Sequence, residues 1–101
     1  MIIYMEGVIL NCCTYVLKLE NDKWYVGKTH NINLRYAQHL CGNGAKWTRL
    51  HKPIDCTKVS FLISEKEMTL KYMKKHGWEN VRGYAWCQCN LIKPPQDLIN
   101  Y

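Results

Sequence analysis

The chain has 101 residues, 48% of them hydrophobic, six cysteines and a formal net charge of +6. That length supports one domain with a single modest core and excludes a second, and the composition gives no argument for disorder. The basic balance favours a polyanionic partner, because each neutralised phosphate releases counterions and adds salt-sensitive affinity.

The opening Met1-Ile2-Ile3-Tyr4-Met5 is apolar but has no basic leader. It falls far short of the roughly 20 apolar residues a membrane span needs, so it reads as an edge strand and predicts no membrane segment. Tyr15, Leu17 and Leu19 then alternate with Val16, Lys18 and Glu20, Asn21-Asp22 offers turn chemistry, and Lys23-Trp24-Tyr25-Val26-Gly27 resumes an extended run. This pattern predicts a β-hairpin that sets Tyr15 and Tyr25 on neighbouring strands, with the register left open.

Thr29 or Asn31 caps the next segment, a helix to about Cys41 stopped by Gly42 and Gly44. Arg35 and His39, four apart, share one face of it. Residues 42–53 read as a basic, aromatic loop and residues 56–63 as a third strand. Ser64-Glu65-Lys66-Glu67 reads as a capping box, in which Ser64 is the N-cap and Glu67 reaches back to it. Glu65 lies three and seven residues before Met68 and Tyr72, on the inward face, where a carboxylate is costly unless paired or metal-bound. The helix ends at Gly77, and a tail broken by Pro94-Pro95 wraps the domain.

The cysteines do not form a metal signature. Cys12-Cys13 are adjacent, Cys41 and Cys56 stand alone, and Cys87-Gln88-Cys89 lacks partners at structural zinc spacing. Reduced thiols are expected, with a zinc site built from Cys87, Cys89 and a histidine as the minor alternative.

Taken in order, Thr14-Tyr15-Val16, Tyr25-Val26-Gly27-Lys28-Thr29, Arg35, Gln38-His39, Gly44-Ala45-Lys46-Trp47-Thr48 and the glutamate-bearing helix resemble the GIY-YIG nuclease family. The resemblance covers residues 12–83, and Cys13 stands where the first motif carries glycine. It implies a single α/β domain over residues 1–101, a small, mainly antiparallel three-stranded sheet flanked by helices, with its core at about residues 12–83. It also implies a metal-dependent DNA endonuclease. Tyr15 and Tyr25 would activate or orient water, either one serving as base; Arg35 would bind the phosphate, and His39 would bind it too or shuttle a proton. Glu65 would hold Mg²⁺ or Mn²⁺ as the single protein carboxylate, with Glu67 in reserve.

The segment from Gly44 to Arg49 resembles a loop of members that cut branched DNA. By that likeness Lys46, Thr48 and Arg49, with Lys28, are substrate contacts, and Trp47 either stacks on an unpaired base or belongs to the core. The likeness is nearest to branched-DNA junction endonucleases and to members carried by large DNA viruses. It implies an intracellular protein of cytoplasm or nucleus, cellular or virus-encoded, acting on repair or recombination intermediates, with a partner protein, a homodimer or the basic surface selecting the substrate. The alternative is a module of the same fold that holds DNA without cutting it. Loss of the glutamate would mark such a module, and two candidate glutamates argue against it.

Overall fold

The computed structural model describes residues 12–101. The expected edge strand over residues 1–5 lies outside the described residues. The hairpin is present: β1 (Cys13–Leu19) and β2 (Lys23–Thr29) pair antiparallel, and the register sets Tyr15 opposite Gly27 and Leu17 opposite Tyr25. Asn21 and Asp22 make the reversal with φ of 64° and 57°, the left-handed conformation that these short polar side chains tolerate.

Asn31 caps α1 (Ile32–Leu40), its side chain accepting from the Leu34 amide at 3.1 Å. The expected loop over residues 42–53 contains a short helix, α2 (Lys46–Leu50), followed by β3 (Pro53–Ser60). Ser64 caps α3 (Glu65–His76) by accepting from the Glu67 amide at 3.1 Å, and Gly77, at φ 92°, ends it. After a single 3₁₀ turn comes β4 (Val81–Gly83), and α4 (Gln96–Ile99) closes the tail.

The sheet has four strands in the order β3-β1-β2-β4, which corrects the expected three. The added strand pairs parallel to β2, with Tyr25 opposite Arg82 and Val26 opposite Gly83. Three residues are too few to show an alternating pattern, so it was not legible as a strand.

Alternation along the hairpin divides the core in two. Tyr15, Leu17, Leu19 and Tyr25 face one side and pack with Trp47 of α2 and with Ile32 and Tyr36 of α1. Val16 and Val26 face the other side and pack with Met68 and Met73 of α3 and with Val81. Burial of each large aliphatic side chain contributes roughly 1.5–3 kcal/mol, so both faces of the hairpin are fixed and a one-residue slip would expose both cores. None of the described helices is long and apolar enough to cross a membrane.

Candidate active site

The site begins with a packing requirement. Tyr15 sits opposite Gly27, and its ring lies across that glycine so closely that a Cβ at position 27 would overlap the phenol and its hydroxyl. The missing side chain lets Tyr15 lie flat on the sheet beside Tyr25, ring centroids 6.3 Å apart. His39, delivered by α1, packs against both rings at 5.8 and 5.3 Å. A Cβ at position 44 would overlap His39 Nδ1, so the glycine after α1 is needed to admit this imidazole.

A directed chain of hydrogen bonds follows. The Thr48 hydroxyl donates its single proton to the Ala45 carbonyl at 2.7 Å. Its oxygen therefore accepts at 3.0 Å from His39 Nδ1, which must carry the ring proton. Nε2 is then bare, and it accepts from the Tyr15 hydroxyl at 2.8 Å. Burial, and after it the Arg35 guanidinium, lowers the His39 pKa to about 4 and keeps the ring neutral. Burial pushes Tyr15 up to about 12, while a hydrogen bond and the charge of Arg35 act in the opposite sense. Tyr25 is raised by burial and then by its neighbour Tyr15. Arg35 itself is half-buried and is braced by a 3.0 Å bond from Nη1 to Gln38 Oε1.

Glu65 opens α3 at the rim of this cluster, half-buried, and both phenols feel its charge. Burial raises its pKa, partly offset by a backbone hydrogen bond from Tyr84 and by the Lys28 charge. A carboxylate drawn out of water with only partial compensation fits a divalent cation held by one protein oxygen, with waters and substrate oxygens completing the shell. Among the described residues no group of three or more His, Cys, Asp or Glu is gathered around a metal position, so a closed protein cage is not what is built. Glu67 points to solvent.

Of the sequence-predicted residues, Tyr15, Tyr25, Arg35, His39 and Glu65 converge. Lys28 is exposed on the same side as Glu65, and Lys46 and Arg49 are exposed on α2, Arg49 bonding the Gly44 carbonyl at 3.3 Å. Thr48 is buried at 1% exposure and has a task that sequence reasoning missed, holding His39 Nδ1. Trp47 is likewise buried, donating to the Trp24 carbonyl at 3.0 Å under the Arg82 guanidinium, and does not present its ring for stacking. Sequence reasoning missed the Tyr84 amide at Glu65, which follows β4 and has no local signal. All six cysteines are free.

The comparisons with known proteins agree with this geometry. The chain is 32% identical over 68 residues to a UPF0213 protein of Halalkalibacterium halodurans, a match covering 66% of this chain and 72% of that one. It is 32% identical over 62 residues to UPF0213 protein YazA of Bacillus subtilis, covering 60% of this chain and 63% of that one. With a UPF0213 protein of Cupriavidus necator it shares 48% identity over 40 residues, covering 40% of this chain and 44% of that one. The chain thus spans less than two thirds of two of these three relatives. All three are bacterial, and the nearer likeness to junction and viral enzymes gains no support from them. No solved structure gives a significant match. The model of the GIY-YIG catalytic domain matches residues 11–80, and the chain therefore belongs to the GIY-YIG family of nuclease domains.

Proposed function

We propose that the protein is a metal-dependent endonuclease that hydrolyses phosphodiester bonds in DNA, acting on branched or nicked DNA in repair or recombination. The observation that carries this reading is the convergence on one buried phenol of a neutral, oriented histidine and a guanidinium, with a half-buried carboxylate at the rim.

Tyr15 is the group that handles the attacking water. Its oxygen takes a proton from the water while its own proton moves to the bare Nε2 of His39, so free phenolate need not accumulate at neutral pH. Tyr25, packed against both rings, holds the Tyr15 ring in place and lines the water's approach. Arg35 neutralises charge that grows on the phosphate oxygens. Glu65 would hold Mg²⁺ or Mn²⁺, which when bound polarises the phosphate and stabilises the leaving oxygen. Lys28, Lys46 and Arg49 supply exposed positive charge for the DNA backbone, in keeping with the net charge of +6.

Conversion of supercoiled plasmid to nicked circles in Mg²⁺ or Mn²⁺ tests the reading. Activity that disappears with chelator and in Arg35→Ala is expected; a protein that never nicks in either metal contradicts it.

A further inference from the structure

Beside Glu65 the surface opens into a groove of about 440 Å³. That volume lies within the range of roughly 300–1,000 Å³ typical of small-ligand sites. Its walls include Phe61, Leu62 and Tyr84, which are 69%, 96% and 46% exposed, and Lys28 stands at its edge with Glu65 and Ser64. Three large apolar side chains gathered beside a carboxylate and a lysine form an exposed patch of the kind that marks a ligand groove.

We propose that this groove receives an unpaired nucleotide next to the scissile phosphate, so that the preferred substrate has a single-stranded flank at the cut. The inference rests on the nuclease reading and narrows its substrate. In continuous duplex the base faces are stacked away, and a protein groove meets only phosphates and edges. An unpaired base offers a flat π-face, which aromatic and aliphatic walls bind without regard to sequence. The ring of Tyr84 is held for this by packing on Trp86, centroids 5.3 Å apart. Its backbone amide bonds Glu65, which ties the base-binding wall to the reacting end of the site. Lys28 supplies the charge that a nucleotide's phosphate needs. A second protein copy seated here would bury Lys28 and Glu65 at a desolvation cost, whereas a nucleotide leaves both wetted.

The test measures binding of a short flap DNA and of a matched blunt duplex by fluorescence anisotropy in chelator, so that nothing is cut. A 2-aminopurine at the first unpaired position reports stacking. Wild type is expected to bind the flap about 5- to 100-fold tighter and to quench the probe, and Phe61→Ala and Leu62→Ser to bring that ratio close to one. Both side chains are largely exposed, so neither change threatens folding. A wild type that nicks plasmid yet shows no preference or quenching overturns the subsite and leaves the nuclease reading standing. An unchanged ratio in both variants does the same. Failure to bind or cut any DNA overturns both. A dimer in sedimentation that Leu62→Ser dissociates overturns it in favour of a second copy.

Discussion

The Tyr15 hydroxyl lies 2.8 Å from His39 Nε2, and the direction of that bond is set by Thr48, which occupies the far nitrogen of the ring at 3.0 Å. Thr48→Val keeps the shape and removes the acceptor, leaving Nδ1–H unpaired in a buried place. Cleavage is expected to slow by about 10- to 100-fold, the scale seen when the partner orienting a functional histidine is lost. Stability should fall by about 1–3 kcal/mol. Thr48→Ser should recover most of both, as read by plasmid nicking rates and urea melts.

The depressed pKa of His39 makes a signed prediction about pH. Because the folded ring binds its proton only near pH 4 while the unfolded ring does so near 6.5, the unfolded state holds more protons between these values. Folding stability should therefore fall as pH drops from about 6.5 to about 4. His39→Gln should flatten the part of that slope that His39 contributes, as measured by urea midpoints at pH 7 and pH 5. A variant with the slope of wild type would remove His39 from the explanation.

Gly27→Ala brings a Cβ into the Tyr15 ring and hydroxyl. Either the strand or the phenol must move, at an expected cost of about 1–3 kcal/mol. For a chain this short each kcal/mol lowers Tm by roughly 4–8 °C, so a melting curve reads it directly. Loss of cleavage should exceed what the fraction unfolded explains.

Arg82 is 3% exposed and has no carboxylate partner among the described residues; its guanidinium donates to the carbonyls of Gln88 (2.6 Å), Trp78 (3.1 Å), Glu79 (3.2 Å), Val81 (2.9 Å) and Cys89 (3.2 Å). It also lies 4.2 Å from the centre of the Trp47 ring, joining the tail to the helix that carries Thr48. Arg82→Met leaves those carbonyls unmet and should cost more than about 2 kcal/mol in a urea melt. Arg82→Lys should recover little, because one ammonium cannot reproduce a planar fork.

How much of this was legible beforehand follows from the physics of each signal. The hairpin, a cap at Thr29 or Asn31 and the Ser64 cap were readable because they rest on local chemistry within a few residues, and the structure selects Asn31. Glu65 was readable as inward from its spacing to Met68 and Tyr72, whereas only half of the expected capping box is present: Ser64 accepts from the Glu67 amide, but the Glu67 carboxylate points to solvent and does not reach back. The Thr48–His39 contact was not legible because its partner is a histidine nine residues back on another helix, and no local pattern reports it. For Trp47 the core alternative holds, and only the structure could decide it, because its indole is claimed by Trp24 and Arg82, both distant in sequence. The role of Gly27 needed the register, which alternation alone leaves open.

The central claim is that Glu65 is the carboxylate that serves cleavage. Wild type, Glu65→Gln and Glu67→Gln should be compared for nicking of supercoiled plasmid and cutting of a labelled flap DNA in Mg²⁺ and in Mn²⁺. The account predicts metal-dependent cutting that falls at least about 100-fold in Glu65→Gln and stays within about twofold of wild type in Glu67→Gln. Loss in Glu67→Gln alone, or DNA binding without cutting by wild type in both metals, would contradict it.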